Sequence, residues 1–368
     1  MNTSEHAQSA IPKPFSAPVK NCFQTWAVFL SKVSFTLMCC LSSFTLSAAE
    51  NFCIDYQYFP NTNNLRVFDF AILSPYCEVD LRVGHAAGKK AYAYISAGEI
   101  AMNAQYYQAA VTAGIPFIGQ NPNWNSMVVD LSSSRWAPFV VNQLAAPAVA
   151  KGYDGFFLDT MDSYYLADPS LEAAQETGLV NMVKALKAAY PTKKIIINRG
   201  FPVFSRLTNT VDGMLVEGLY YTYPGVPQDP SGTTWLLGQI APVKAAGKPV
   251  YIVDYVDPAL PVSPVQIAQQ ISTLGLTPLV SPPALDGTVL APLPPVRIEK
   301  FAMKSGIPTL TFTALKSKSY SLQRTASVRN GPWAKVKDVA AQAVTSIIEV
   351  NDTTAAGKPL QFYRLVAN

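Results

Sequence analysis

The chain has 368 residues, of which 49% are hydrophobic and 14% charged, with a formal net charge of +4. That apolar content supports a sizeable core and excludes a disordered chain. Lys and Arg are scattered rather than clustered, which argues against nucleic-acid binding, and the two His, His6 and His85, are too few and too far apart for a His-rich metal site.

Residues 1–49 read as an export signal. Lys20 and Lys32 supply positive charge, residues 33–46 are apolar, and Ser47-Ala48-Ala49 places small residues just before Glu50. The apolar run is short for a span of about 20 residues. Cleavage is therefore expected over a membrane anchor, giving a secreted or periplasmic protein with no stable membrane span. Removal takes away Lys13, Lys20, Lys32 and Glu5, which lowers the net charge from +4 to +2. Cys22, Cys39 and Cys40 leave with it, and Cys53 and Cys77 remain.

From Cys53 to about residue 283, apolar β-rich runs alternate with helical patterns. The runs are 54–58, 68–73, 91–96, 128–131, 155–159, 195–198, 213–217, 250–254 and 278–281. Several are apolar at consecutive positions, as suits strands buried on both faces of a parallel sheet. Between them, Leu179, Met182, Val183 and Leu186 follow helical spacing up to Pro191, and Ser263-Pro264 caps a helix that Gly275 ends. Repeated β–α units over residues 50–295 predict a (β/α)8, TIM-like barrel. Nine runs compete for eight places, and 128–131 is expected to be a short strand in a long loop. An open doubly wound sheet is the alternative, but no Gly-rich phosphate fingerprint follows an early strand. With 54–58 as the first strand, Cys53 and Cys77 fall at opposite ends of the barrel, and no bond between them is expected.

Residues 284–295, rich in Pro and small residues, read as a linker or closing strap. Residues 296–368 then predict a small, β-sandwich-like module, with strands near 309–313, 319–324, 346–350 and 361–365. Its Trp333 and Tyr363 are either glycan contacts or core.

In a parallel barrel, functional side chains stand at the carboxyl ends of the strands. The polar residues ending the runs are Ser74, Ser96 with Glu99, Asp159 with Asp162, Asn198 with Arg199, Glu217, Asp254 with Tyr255, and Ser281. Any one of the five carboxylates has an ordinary reading as a helix cap or an ion-pair partner. Five at the same end of successive strands predict a shared acidic site, solvated in an open mouth and supporting no core. Glycoside hydrolysis needs two carboxylates flanking a bond, about 5–5.5 Å apart for retention and about 6.5–9.5 Å for inversion. No Cys–His pair is available, and His85 lies in a helical stretch instead of at a strand end.

Four runs carry a family resemblance: residues 94–99 (Tyr-Ile-Ser-Ala-Gly-Glu), 152–164 (containing Asp154-Gly155-Phe156-Phe157-Leu158-Asp159), 197–200 (Ile-Asn-Arg-Gly) and 212–218 (Asp-Gly-Met-Leu-Val-Glu-Gly). In order and spacing they resemble glycoside hydrolase family 114, the endo-α-1,4-polygalactosaminidase family, which includes the hydrolase domain of Pel-type exopolysaccharide proteins. The resemblance implies Asp159 and Glu217 as the catalytic pair, at the ends of the fourth and sixth barrel strands, with Asp159 as nucleophile and Glu217 as acid/base or the reverse. It implies substrate-binding roles for Tyr94, Glu99, Asp162, Asn198, Arg199, Tyr220, Asp254 and Tyr255, with Tyr56 and Tyr164 as further stacking candidates. Ser74 stands where relatives often carry a carboxylate, which bears on sugar preference. The expected partner is a galactosamine-rich polysaccharide, for a monomer without metal or cofactor. A non-catalytic glycan-binding barrel, a hydrolase of another exopolysaccharide, and a lyase or esterase on the same fold are the alternatives. The retained carboxylate pair favours the enzyme.

Overall fold

A computed structural model of the chain describes residues 50–368 apart from 330, 356–357, 359–360 and 368. The predicted export signal lies outside the described residues. Among the described residues, no helix is long and apolar enough to cross a membrane.

Eight parallel strands form the barrel sheet: β1 (Phe52–Asp55), β2 (Phe70–Leu73), β3 (Lys90–Ser96), β4 (Gly155–Asp159), β5 (Lys194–Asn198), β6 (Gly213–Glu217), β7 (Val250–Tyr255) and β8 (Thr277–Ser281). Each pairs with the next in chain order, the ordering a (β/α)8 barrel requires. The strap predicted over 284–295 closes the seam. It pairs with β8 through Val280 N–H to the Ala291 carbonyl (2.7 Å). It reaches β1 through Gly287 N–H to the Ile54 carbonyl and Tyr56 N–H to the Leu285 carbonyl, both 3.0 Å. Ser126–Val129 is the ninth, extra strand. It lies in the loop after β3, in a small antiparallel sheet with Glu99–Ala101 and Phe117–Asn121.

Period-2 alternation decides what fills the barrel. At the amino-terminal end, the rings of Phe52, Phe70, Tyr92 and Tyr251 pack on one another at 5.0–5.4 Å between centroids. Gly155 makes room for this layer: a Cβ there would stand 2.9 Å from the Tyr92 ring and 2.3 Å from the Lys194 carbonyl. Farther along the same strands the inward positions become polar: Tyr56 on the chain leaving β1, Tyr94 on β3 and Tyr255 on β7. The 18-residue helix Glu172–Ala189 buries Leu179, Met182, Val183 and Leu186, the face its spacing predicts. Cys53 and Cys77 are buried free thiols.

The strands after residue 296 stay out of the barrel sheet. They make two three-stranded antiparallel sheets, Lys300–Lys304/Ile307–Ala314/Ser346–Asn351 and Ala334–Val339/Tyr320–Thr325/Phe362–Ala367. Leu310, Phe312, Tyr320, Leu322 and Val350 form their own core. Lys316 reaches back to Asp286 (3.2 Å) and Thr288 (2.9 Å) of the strap, and Arg66 pairs with Glu299 at 2.8 Å, so the described residues make one compact unit. The two aromatic candidates of this module are both engaged by protein. Arg364 lies over the Trp333 ring at 4.4 Å, and the Tyr363 hydroxyl donates to Asp352 at 3.0 Å.

Candidate active site

β4, β5, β6 and β7 each end on a polar side chain, and four of these converge. Asn198 Nδ2 donates to Asp159 Oδ1 at 2.7 Å and to Glu217 Oε1 at 2.8 Å. One nitrogen thus bridges the two carboxylates, and these oxygens stand no farther apart than about 5.5 Å, the two bonds laid end to end. The remaining oxygens are also engaged: the Tyr94 hydroxyl donates to Asp159 Oδ2 at 2.9 Å and the Tyr255 hydroxyl to Glu217 Oε2 at 2.8 Å. Tyr56 packs edge-on against Tyr94 at 5.0 Å. Arg199 donates to the Glu217 carbonyl at 3.1 Å.

Glu217 was expected to be solvated in an open mouth, and it is half-buried. Burial pushes its carboxyl above the ordinary range, and the neighbouring Asp159 adds to that, against donors from Tyr255 and Asn198 and the charge of Arg199. Burial and the same carboxylates hold the Tyr56, Tyr94 and Tyr255 hydroxyls well above their usual value, so they remain donors across the physiological range. The backbone is strained at this point: Thr160 and Arg199, each following a strand end, have φ of 59° and 55°. Thr160 is held there by accepting from Gly98 N–H at 2.9 Å, and its own hydroxyl donates to the Asp159 carbonyl at 2.7 Å. Gly98 permits this approach, because a Cβ would stand 2.3 Å from the Thr160 carbonyl.

The other expected site residues divide. Asp162 is exposed, and Tyr220 is partly exposed on the loop after β6. Tyr164 is buried. Glu99 and Asp254 take up positions different from the expected subsites. Glu99, 4% exposed, accepts from Ser163 Oγ (2.5 Å), Asn121 Nδ2 (3.0 Å) and Ser126 Oγ. Asp254, fully buried, accepts from Tyr220 N–H at 3.1 Å, and burial raises its carboxyl to about 6 in spite of the backbone donors of Tyr220, Tyr221 and Leu219. Both carboxylates accept from groups of protein loops. Sequence reasoning missed Trp124 and Tyr223, whose rings meet at 5.7 Å above these loops. The available signal was a Trp inside the polar run Asn121-Pro122-Asn123-Trp124-Asn125, where it has no core to join.

An eight-stranded parallel barrel with two bridged carboxylates at its carboxyl-end mouth has the architecture of a TIM-barrel glycosidase. The profile of glycoside-hydrolase family GH114 matches residues 50–293, two thirds of the chain, and the chain belongs to that family. The glycoside hydrolase domain of PelA from Pseudomonas aeruginosa is similar over 66% of this chain and 98% of that domain, with a TM-score of 0.60 and 26% identity. Aspergillus fumigatus Ega3, solved in complex with galactosamine, shares the fold over 67% of this chain and 96% of its own, with a TM-score of 0.52 and 16% identity. An uncharacterized Deinococcus radiodurans protein is 25% identical over 225 residues, 59% of this chain and 71% of that one.

Proposed function

We propose that the protein is an exported hydrolase of a galactosamine-rich, α-1,4-linked polysaccharide that acts with retention of anomeric configuration, using Asp159 as nucleophile and Glu217 as acid/base. The observation that carries this reading is the Asn198 bridge. A span of at most about 5.5 Å between the bonded oxygens suits direct attack by a carboxylate and leaves no room for the interposed water of inversion. The roles follow from environment. Glu217 is the carboxyl that burial and its neighbour shift toward the protonated form, as suits the leaving-group acid. Asp159, with Tyr94 and Asn198 donating to it, attacks the anomeric carbon in this reading, and Glu217 then activates the water that releases the sugar.

Amino-sugar preference is supported by charge. Asp159 and Asp162 outnumber Arg199 at the mouth, a local field that attracts substrate ammonium groups. The galactosamine bound in Ega3 is consistent with this. Export rests on the Lys32-to-Ala49 pattern, and sequencing the mature amino terminus should return Glu50 first. Incubating the protein with a galactosamine-rich exopolysaccharide should yield oligosaccharides by mass spectrometry, and proton NMR at early times should show the α-anomer. An initial β-anomer would overturn retention, and intact polymer would overturn the substrate.

A further inference from the structure

Two exposed aromatic side chains meet over the mouth, and no core requires them there. Trp124 is 61% and Tyr223 52% exposed. Trp124 stands at the tip of the hairpin between Phe117–Asn121 and Ser126–Val129, where Asn125 turns the chain with φ of 50° and a polar residue would serve the turn equally well. Tyr223 lies between the short paired strands Tyr221–Thr222 and Val226–Pro227. The hairpin follows β3 and the Tyr223 loop follows β6, three places away around the barrel, yet the rings are 5.7 Å apart. Tyr223 also meets Tyr255 edge-on at 5.6 Å, and Tyr255 donates to Glu217. The contact therefore spans the mouth over the ends of β4 and β5, and three rings in succession lead from Glu217 to solvent.

Each leg of this arch is fixed by a buried carboxylate. Glu99 ties Asn121 and Ser126, at the two shoulders of the hairpin, to Ser163 in the loop after β4. Asp254 holds the amide of Tyr220 at the base of the other loop. Two buried carboxylates are thus committed to placing loops whose tips expose aromatic rings to water.

We infer that Trp124 and Tyr223 form a sugar-binding subsite that holds a polysaccharide chain across the mouth, beyond the ring cleaved at Asp159 and Glu217, with Glu99 and Asp254 as positioning residues for its legs. The C–H faces of sugar rings pack on aromatic rings, and rings carried on anchored loops lose little freedom on binding. The occupant is the substrate polymer because the arch is continuous with the carboxylate pair through Tyr255. The inference rests on the reading of that pair as a polysaccharide hydrolase. It makes affinity depend on chain length, since a short oligosaccharide bound at the pair ends before the arch.

The test is calorimetric titration of the D159N variant with galactosamine-rich polymer and with oligosaccharides of increasing length. Adding W124A should weaken polymer binding roughly tenfold, a loss that shrinks as the ligand shortens, and adding W124F instead should restore most of it. Polymer binding by W124A/D159N as tight as by D159N overturns the arch and leaves the carboxylate reading intact. A loss equal at all chain lengths also overturns it, because that would mean general disturbance of the mouth. Failure of D159N itself to bind the polymer removes the occupant and overturns the arch together with the substrate reading.

Discussion

The two ends of the barrel are built from the same strands and do opposite things. On β3, Tyr92 packs into the amino-terminal ring layer, and Tyr94, two residues on, donates to Asp159. On β7, Tyr251 packs on Phe52 and Phe70, and Tyr255, four residues on, donates to Glu217. Every one of these tyrosines points inward by the same period-2 rule. What differs is the neighbour: rings and glycine at one end, carboxylates and an amide at the other. The lower layer gains from packing, and none of its four rings is carried on a residue of positive φ. The mouth holds a raised Glu217 and two residues at positive φ, costs that the lower end helps to offset. Position along a strand, more than residue type, separates support from chemistry.

The sharpest way to break that contrast is at the pair itself. D159N and E217Q should each lower kcat by about 10²–10⁴-fold while the thermal transition stays near that of the wild type, measured by product release and calorimetry. E217Q should be at least as stable at pH 7, since it cannot take up the charge that burial disfavours. A wild-type rate in either variant would defeat the assignment. At the other end, F70A should destabilise by about 3–5 kcal/mol in chemical denaturation, because Phe70 is fully packed against three rings. Its folded fraction should keep its cleavage rate. A stable F70A, or one that folds but cannot cleave, would mean that the two ends are not separable.

Much of the barrel was legible because its strands are apolar runs of four to seven residues that stop on a polar side chain. Gly213 to Val216 before Glu217 is the plainest case, and the surplus run near 128–131 was recognisable as a loop strand. What was not legible was direction. Asp254 ends its run as Asp159 and Glu217 do, and Glu99 stands three residues past its own, but each accepts from a loop amide or hydroxyl, and run position carries no information on that. The Asn198 bridge was equally hidden: sequence placed Asn198 at the mouth, but only the curvature of the sheet brings its amide between two strands' carboxylates. The arch was hidden for a different reason, since Trp124 and Tyr223 are 99 positions apart in loops with no periodicity to read.

The mouth's loop anchors can be compared next. E99A should cost about 2–3 kcal/mol, because three donors, Asn121, Ser126 and Ser163, lose a buried acceptor together. Hydrogen exchange should quicken across residues 117–129 and stay unchanged in β1 and β2. Uniformly faster exchange would show that Glu99 supports the whole barrel and not one loop.

The last effect is one of pH. Asp254 is raised from 3.8 to about 6 by burial. A carboxyl whose folded value is raised binds more protons folded than unfolded between those two values. Stability from this group is therefore full below about pH 4, is lost as pH rises through about 6, and is level above that. The full shift corresponds to roughly 3 kcal/mol as an upper figure, since one pH unit is about 1.36 kcal/mol. D254N cannot ionise, and its amide oxygen can still accept from Tyr220 N–H. Relative to wild type, D254N should therefore gain stability from pH 4 to 6, by roughly 2–3 kcal/mol, and gain no more above it. F70A, which removes only apolar contact, should lie below wild type by the same amount at every pH in that range. Urea denaturation of the three proteins at half-unit steps reads both. A D254N curve parallel to wild type would mean that Asp254 titrates as an ordinary exposed carboxyl, and the contrast between a pH-dependent mouth and a pH-independent base would lose its clearest support.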